Sequence, residues 1–121
     1  MWTRVFVYGT LLAGESNHGL MRSARFVAAA ATPPVFRLHD LDGFPGLCHG
    51  GEAAVVGEVY DVDPPTLAAL DELEDHPAYY QRTAIALADG SPAITYVLPD
   101  VHAAGRPVIA SGDWRAHRRG G

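Results

Sequence analysis

Short apolar stretches broken by glycine and proline run along the whole chain, a rhythm of strands and turns with few long helical faces. Residues 4–8 predict a strand from their β-branched and aromatic content, ended by Gly9, which tolerates unusual backbone angles. Ser16 and Asn17 predict the cap of a short helix over residues 18–22. The apolar run 26–31 reads as a strand, although its length also fits a helix. Residues 35–38 predict another strand, leading into a loop over 40–46 rich in turn chemistry, and Gly50-Gly51 adds a further break. The clearest strand lies at 53–62 and is expected to be central, with Gly57 marking a bulge or a close approach. Asp63-Pro64-Pro65 is a helix-start signal, and residues 66–74 follow as a short helix with leucines three apart. Residues 79–87 and 93–98 predict two strands joined by an Asp89-Gly90 turn, and from Pro99 onward the pattern is weak. No regular strand–helix alternation appears, so the pattern predicts an α+β fold with a mixed or closed sheet.

Composition narrows the class. With 121 residues, of which 48% are hydrophobic, the chain can bury one core, and residues 1–121 are expected to form a single domain, monomeric by default. Fourteen acidic residues against nine basic ones give a charge of −5, opposite to what a nucleic-acid partner requires. Arg115, Arg118 and Arg119 near the C-terminus read as a solvated segment. A single cysteine, Cys48, excludes an intrachain disulfide. No signal-peptide pattern and no membrane-length apolar run are visible, so a cytoplasmic protein without membrane association is expected.

Four acids cluster around the helix 66–74, and helical geometry separates them. If Leu67, Leu70 and Leu73 mark the buried direction, Glu74 lies about 40° from its centre, Asp71 about 100° and Glu72 about 160°. A carboxylate on the apolar side of a helix C-terminus loses solvation and meets the negative end of the helix dipole, which raises its pKa and suits acid–base work. A structural carboxylate paired with Arg82 or a tyrosine hydroxyl explains Glu74 equally well. The passage Tyr8-Gly9-Thr10-Leu11 is a second candidate, because a glycine after a strand can turn backbone N–H groups into a cleft; ordinary turn chemistry accounts for it too. The Tyr8 ring fits either a core or a pocket wall. The six histidines show neither helical zinc spacing nor neighbouring cysteine pairs, so no metal and no cofactor are expected. Cys48 and His49, adjacent on an extended chain, face opposite ways, and His18 reads as a surface residue at a helix start.

The strand ending in Tyr8-Gly9-Thr10-Leu11, followed by Gly14 and Asn17-His18, resembles the opening of the gamma-glutamylcyclotransferase-like family. Gly57-Glu58-Val59-Tyr60, Leu70-Asp71-Glu72-Leu73-Glu74 and Pro77-Ala78-Tyr79-Tyr80-Gln81-Arg82-Thr83 reproduce that family's core in order and spacing, and Ser111-Gly112-Asp113-Trp114 is similar to a late element of it. The gamma-glutamylamine cyclotransferase branch and its small bacterial relatives are the most similar. The resemblance implies a small mixed β-barrel with short flanking helices and a pocket capped by the Tyr-Gly-Thr-Leu loop. It implies one essential glutamate, which falls on Glu74, and cofactor-free release of 5-oxoproline and an amine from a γ-glutamyl substrate. Tyr8, Gly9, Thr10, Leu11, Tyr80 and Arg82 are then the candidate substrate contacts, with Arg82 as a plain structural ion pair the alternative. A non-catalytic domain binding an amino-acid-like ligand, or a hydrolase of γ-glutamyl amides, would use the same pocket.

Overall fold

The computed structural model describes residues 1–120. Seven strands form one mixed sheet: β1 Thr3–Val7, β2 Arg25–Ala31, β3 Phe36–Asp40, β4 Pro45–His49, β5 Val56–Val62, β6 Gln81–Ala86 and β7 Pro92–Val97. Three helices accompany them, α1 Pro64–Leu73, α2 Asp100–Ala103 and α3 Trp114–Arg118, with a 3-10 turn at His18–Met21. The α+β class is as expected. The sheet follows an open path, β2-β5-β1-β7-β4-β3, with β6 attached to β7, so "barrel" describes its curl only loosely. Among the described residues no helix is long and apolar enough to cross a membrane.

Strand β7 organises this path. Antiparallel β6 covers one of its edges from Pro92 to Val97. The other edge is shared by two parallel partners: β1 at Val5 opposite Ile94, and β4 at Leu47 opposite Val97. Where β1 leaves and β4 arrives, the edge forks. Pro45, the first residue of β4, lies against Gly9 just past the end of β1, and a Cβ on Gly9 would stand 2.5 Å from the Pro45 ring. Gly9 is therefore required for space, with no left-handed backbone angle at this position.

Helix α1 starts as its sequence indicates, with Asp63 Oδ1 accepting the Thr66 N–H at 3.0 Å and prolines in the first turn. Its buried stripe differs from the leucine spacing. Leu70 is fully buried and Thr66 nearly so, whereas Leu73 is 39% exposed. The stripe runs 66, 70, 74, which places Glu74 on its axis.

Several elements depart from expectation. The stretch read as a loop and a glycine break contains β4, because Gly46 makes room for the Leu98 side chain and does not turn the chain. The segment after Pro99 holds α2 and α3; Trp114 there is 1% exposed and Arg115 reaches Glu58, so this arginine packs into the body. Gly57 marks a close approach, since a side chain there would strike the Val7 carbonyl and the Phe6 ring. The bulge lies in β2, between Phe26 and Ala28. Gly57→Ala is expected to cost about 2–3 kcal/mol in urea unfolding through backbone overpacking; a cost under about 0.5 kcal/mol would mean that β1 and β5 are not in this contact.

Candidate active site

A cavity of about 360 Å³ opens at the fork. The chain leaving β1, Phe6 to Leu11, forms one wall; Gly43, Phe44 and Pro45 at the entry to β4 form another; Glu74, Tyr79, Tyr80 and Tyr96 close it. The expected residues Tyr8, Gly9, Thr10, Leu11, Glu74 and Tyr80 all line it.

Glu74 sits at the C-terminal end of α1, its N–H donating to the Leu70 carbonyl at 2.9 Å and its own carbonyl accepting the Tyr80 N–H at 3.2 Å. The backbone is thus fixed on both sides while the side chain enters the cavity wall. Burial pushes the carboxyl up from 4.5 to about 7. The structural partners allowed by sequence are engaged elsewhere. Arg82 binds Asp71 at 2.6 Å, Tyr80 donates to the Pro45 carbonyl at 2.6 Å, and Tyr8 donates to the Tyr96 carbonyl at 2.7 Å. No hydrogen bond or ion pair to the Glu74 carboxylate is found among the described residues. Arg82, a candidate substrate contact by sequence, lies outside the cavity wall, paired with Asp71.

The Tyr8–Leu11 loop is held by its carbonyls and by the residues behind it. The Gly9 carbonyl accepts the Leu12 N–H at 3.1 Å, the Thr10 carbonyl accepts the Asn17 N–H at 2.8 Å, and Asn17 Nδ2 donates to Thr10 Oγ1 at 2.9 Å. His18 Nδ1 stands 2.9 Å from the Leu11 carbonyl; that oxygen only accepts, so the ring nitrogen carries the proton. His18, read from sequence as a surface residue, thus secures the loop. Behind it, Glu58 accepts the Ala13 N–H at 2.9 Å, the Tyr60 hydroxyl at 3.0 Å and Arg115 Nη1 at 3.2 Å. Burial alone would raise this carboxyl, but those three donors together hold it below its ordinary value, so it stays ionised. Among the described residues, the N–H groups of Gly9, Thr10 and Leu11 donate to no protein acceptor. Three consecutive free amides beside a cavity suit an anionic oxygen.

Tyr8 is both core and wall: it is 7% exposed and borders the cavity. Its hydroxyl donates to the Tyr96 carbonyl and accepts the Leu47 N–H at 3.2 Å, serving two backbone groups at the place where β7 changes partners. Burial pushes the Tyr8, Tyr80 and Tyr96 phenols well above their ordinary value, so all three remain hydroxyl donors. Tyr96, Phe44 and Pro45 are wall residues that the sequence did not single out; Asn17, read as a helix cap, makes no side-chain cap bond and lines the wall instead, its amide on Thr10. Tyr96 was hidden because an aromatic on a central strand is ordinary core. Cys48 is fully buried and His49 exposed, which separates the pair as their adjacency predicts.

The family model described as "Gamma-glutamyl cyclotransferase, AIG2-like" matches residues 5–116. A Vibrio cholerae protein that carries the provisional name gamma-glutamylcyclotransferase is 44% identical over 91% of this chain and 93% of its own length. Human gamma-glutamylaminecyclotransferase is 42% identical over 67% of this chain, and the match spans 59% of the human protein. Among solved structures, a protein described as specific to uropathogenic E. coli superposes with a TM-score of 0.86 at 28% identity, covering 98% of this chain and 97% of its own. A mouse AIG2-like protein gives 0.77 at 30% identity, over 93% and 88% respectively.

The raised Glu74 pKa has a thermodynamic consequence. Between pH 4.5 and about 7 the unfolded chain ionises Glu74 while the folded chain keeps it protonated, so the stability of neutral Glu74 is complete below 4.5 and lost as pH rises through 7. Glu74→Gln is expected to match the wild type in stability near pH 4 and to exceed it by on the order of 2–3 kcal/mol at pH 8, by urea unfolding at both values. Equal stability at pH 8 would mean that the carboxylate is not desolvated.

Proposed function

The chain belongs to the gamma-glutamyl cyclotransferase, AIG2-like family, and we propose that it closes the γ-glutamyl group of a small γ-glutamyl amine or amide into 5-oxoproline, releasing the amine, with Glu74 as the acid–base group. The observation that carries this reading is the Glu74 carboxylate: unpartnered among the described residues, set in the cavity wall with the free loop amides, and holding its proton up to about 7.

The chemistry asks little else of the protein, because nucleophile and electrophile belong to one substrate and the cavity has only to fold it toward attack. Glu74 takes a proton from the substrate's α-ammonium. The freed amine attacks the γ-carbonyl carbon, the new C–N bond closes a five-membered ring, and charge gathers on the former carbonyl oxygen. The amides of Gly9, Thr10 and Leu11 supply donors for that oxygen or for the substrate carboxylate. As the intermediate collapses, the bond to the departing nitrogen breaks and Glu74 returns its proton to that nitrogen; the ring nitrogen gives up its second proton to the carboxylate so freed, and the amine takes it up and leaves as an ammonium. No water is consumed. A carboxyl with pKa near 7 serves both transfers, since it is a stronger base than an ordinary glutamate and still a competent acid. The Tyr80 hydroxyl, committed to the Pro45 carbonyl, contributes its ring and a fixed edge to the cavity.

Purified protein incubated with a panel of γ-glutamyl amines is expected to give 5-oxoproline by mass spectrometry. Glu74→Gln is expected to lose roughly a thousandfold in rate. Free glutamate as the product would replace cyclisation by hydrolysis, and ligand binding without any product would replace catalysis by simple recognition.

A further inference from the structure

Asp71 stands one helical turn before Glu74, with both of its carboxylate oxygens occupied. The Tyr96 hydroxyl donates to Oδ1 at 2.6 Å, and Arg82 Nη1 donates to Oδ2 at 2.6 Å. Arg82 and Tyr96 are directly opposed across β6 and β7, so a single carboxylate joins α1 to a cross-strand pair. The backbone reinforces the joint: the His76 N–H donates to the Asp71 carbonyl at 3.0 Å, and the Arg82 N–H donates to His76 Nδ1 at 3.0 Å.

The surroundings of Glu74 explain why this joint matters. From the end of β1 comes Tyr8, from the approach to β6 Tyr79 and Tyr80, from β7 Tyr96, and beside Glu74 lies Asp75. The cavity lining includes no lysine, arginine or histidine. The phenols of Tyr8, Tyr80 and Tyr96 all feel the Glu74 charge, and Tyr96 feels that of Asp71 more strongly. Tyr8 and Tyr80 are held by backbone groups, so Tyr96 is the hydroxyl that depends on Asp71, and Arg82 is the cation beside it with the same dependence. The Arg82 side chain is 35% exposed and long enough to change direction once its anchor is lost.

We propose that Asp71 is a positioning residue for Glu74: by taking up the Arg82 guanidinium and the Tyr96 hydroxyl, it withholds both donors from Glu74 and keeps that carboxylate free for substrate. This rests on the reading of Glu74 as the acid–base group. A cation or hydroxyl that reached Glu74 would stabilise its ionised form, draw down its pKa and block its approach to the α-ammonium.

The test is a 13C titration of protein labelled at its glutamate carboxyls, the Glu74 signal being assigned by its loss in Glu74→Gln, alongside the pH profile of kcat/KM. In the wild type the midpoint is expected near 7. In Asp71→Asn, which keeps an acceptor for Tyr96 but loses the charge that holds Arg82, it is expected to fall by about one unit or more, with the acid limb of kcat/KM moving equally. The double variant Asp71→Asn with Arg82→Met is expected to restore the wild-type midpoint, and Asp71→Glu, which keeps the charge, to leave it in place. A merely structural Asp71 would lower stability without displacing the titration. A folded Asp71→Asn protein titrating like the wild type overturns the proposal, and so does a displaced midpoint in Asp71→Glu. If Asp71→Asn does not fold, Asp71→Glu and Arg82→Met decide: both are expected at the wild-type midpoint, and a shift in either overturns the proposal. Because the titration needs no turnover, absence of 5-oxoproline with the titration pattern intact would count against the cyclotransferase reading alone.

Discussion

One phenol hydroxyl reconciles two strands that compete for the same edge. Parallel β1 and β4 both need the free side of β7, and neither can run along its whole length without displacing the other. At the change of partner a regular ladder would leave polar backbone groups unmet in the core, at a cost of about 1–3 kcal/mol for each buried group. Tyr8 serves two of them, the Tyr96 carbonyl and the Leu47 N–H, with a single oxygen. The gap that this bridge permits is the cavity. Gly9 lets Pro45 close in from one side, and Tyr80 fastens the Pro45 carbonyl from another. The pocket is therefore a consequence of sheet topology, and the loop that crowns it is the overhang of a strand that has run out of partner.

Within that gap the balance of polar groups is lopsided. The Tyr8, Tyr80 and Tyr96 hydroxyls are all committed to the protein, as are the Gly9, Thr10 and Leu11 carbonyls with their supporting side chains. Left over are the Glu74 carboxylate and three loop amides, an acceptor and a set of donors with complementary roles in the proposed cyclisation, with the Asp75 carboxylate and the Ser16 and Tyr79 hydroxyls also in the lining. Two other acids help to keep matters so. Glu58 fastens the loop from behind while staying ionised, and Asp71 occupies the Arg82 guanidinium and the Tyr96 hydroxyl. Desolvated carboxylates without a partner destabilise folds, and such a site persists only where the surrounding structure over-determines it.

The elements most legible in the sequence were those whose patterns are local. The Asp63 cap, the strong β5 run and the Asp89-Gly90 turn stand close to where their residues indicated. Glu74 was legible as inward-facing, yet for a partly wrong reason: leucines every three residues suggested one buried direction, whereas packing selected the four-residue stripe through Thr66 and Leu70. Strand β4 was illegible because its glycine and proline serve long-range contacts, with Leu98 and with Gly9, that no local rule anticipates. Arg82 was left between a substrate contact and a structural ion pair for a related cause. Whether it met the substrate, Glu74 or Asp71 depended on where the helix docked, and it pairs with Asp71 outside the cavity wall. Trp114 and α3 were missed because a short amphipathic turn is indistinguishable from a loop until something packs on it.

A pocket with three of its spare donors on the main chain has an evolutionary property that a pocket built of side chains alone lacks. Point mutation, proline apart, cannot delete an amide N–H. The donor set at Gly9, Thr10 and Leu11 is therefore insulated from drift so long as the loop keeps its path. The rim differs: Asp42 and Gly43 adopt left-handed backbone angles in the turn between β3 and β4, and Phe44 beside them is 38% exposed. Variation there can remodel the mouth without touching the floor, so a lineage is free to change which amine it releases while inheriting the same ring closure.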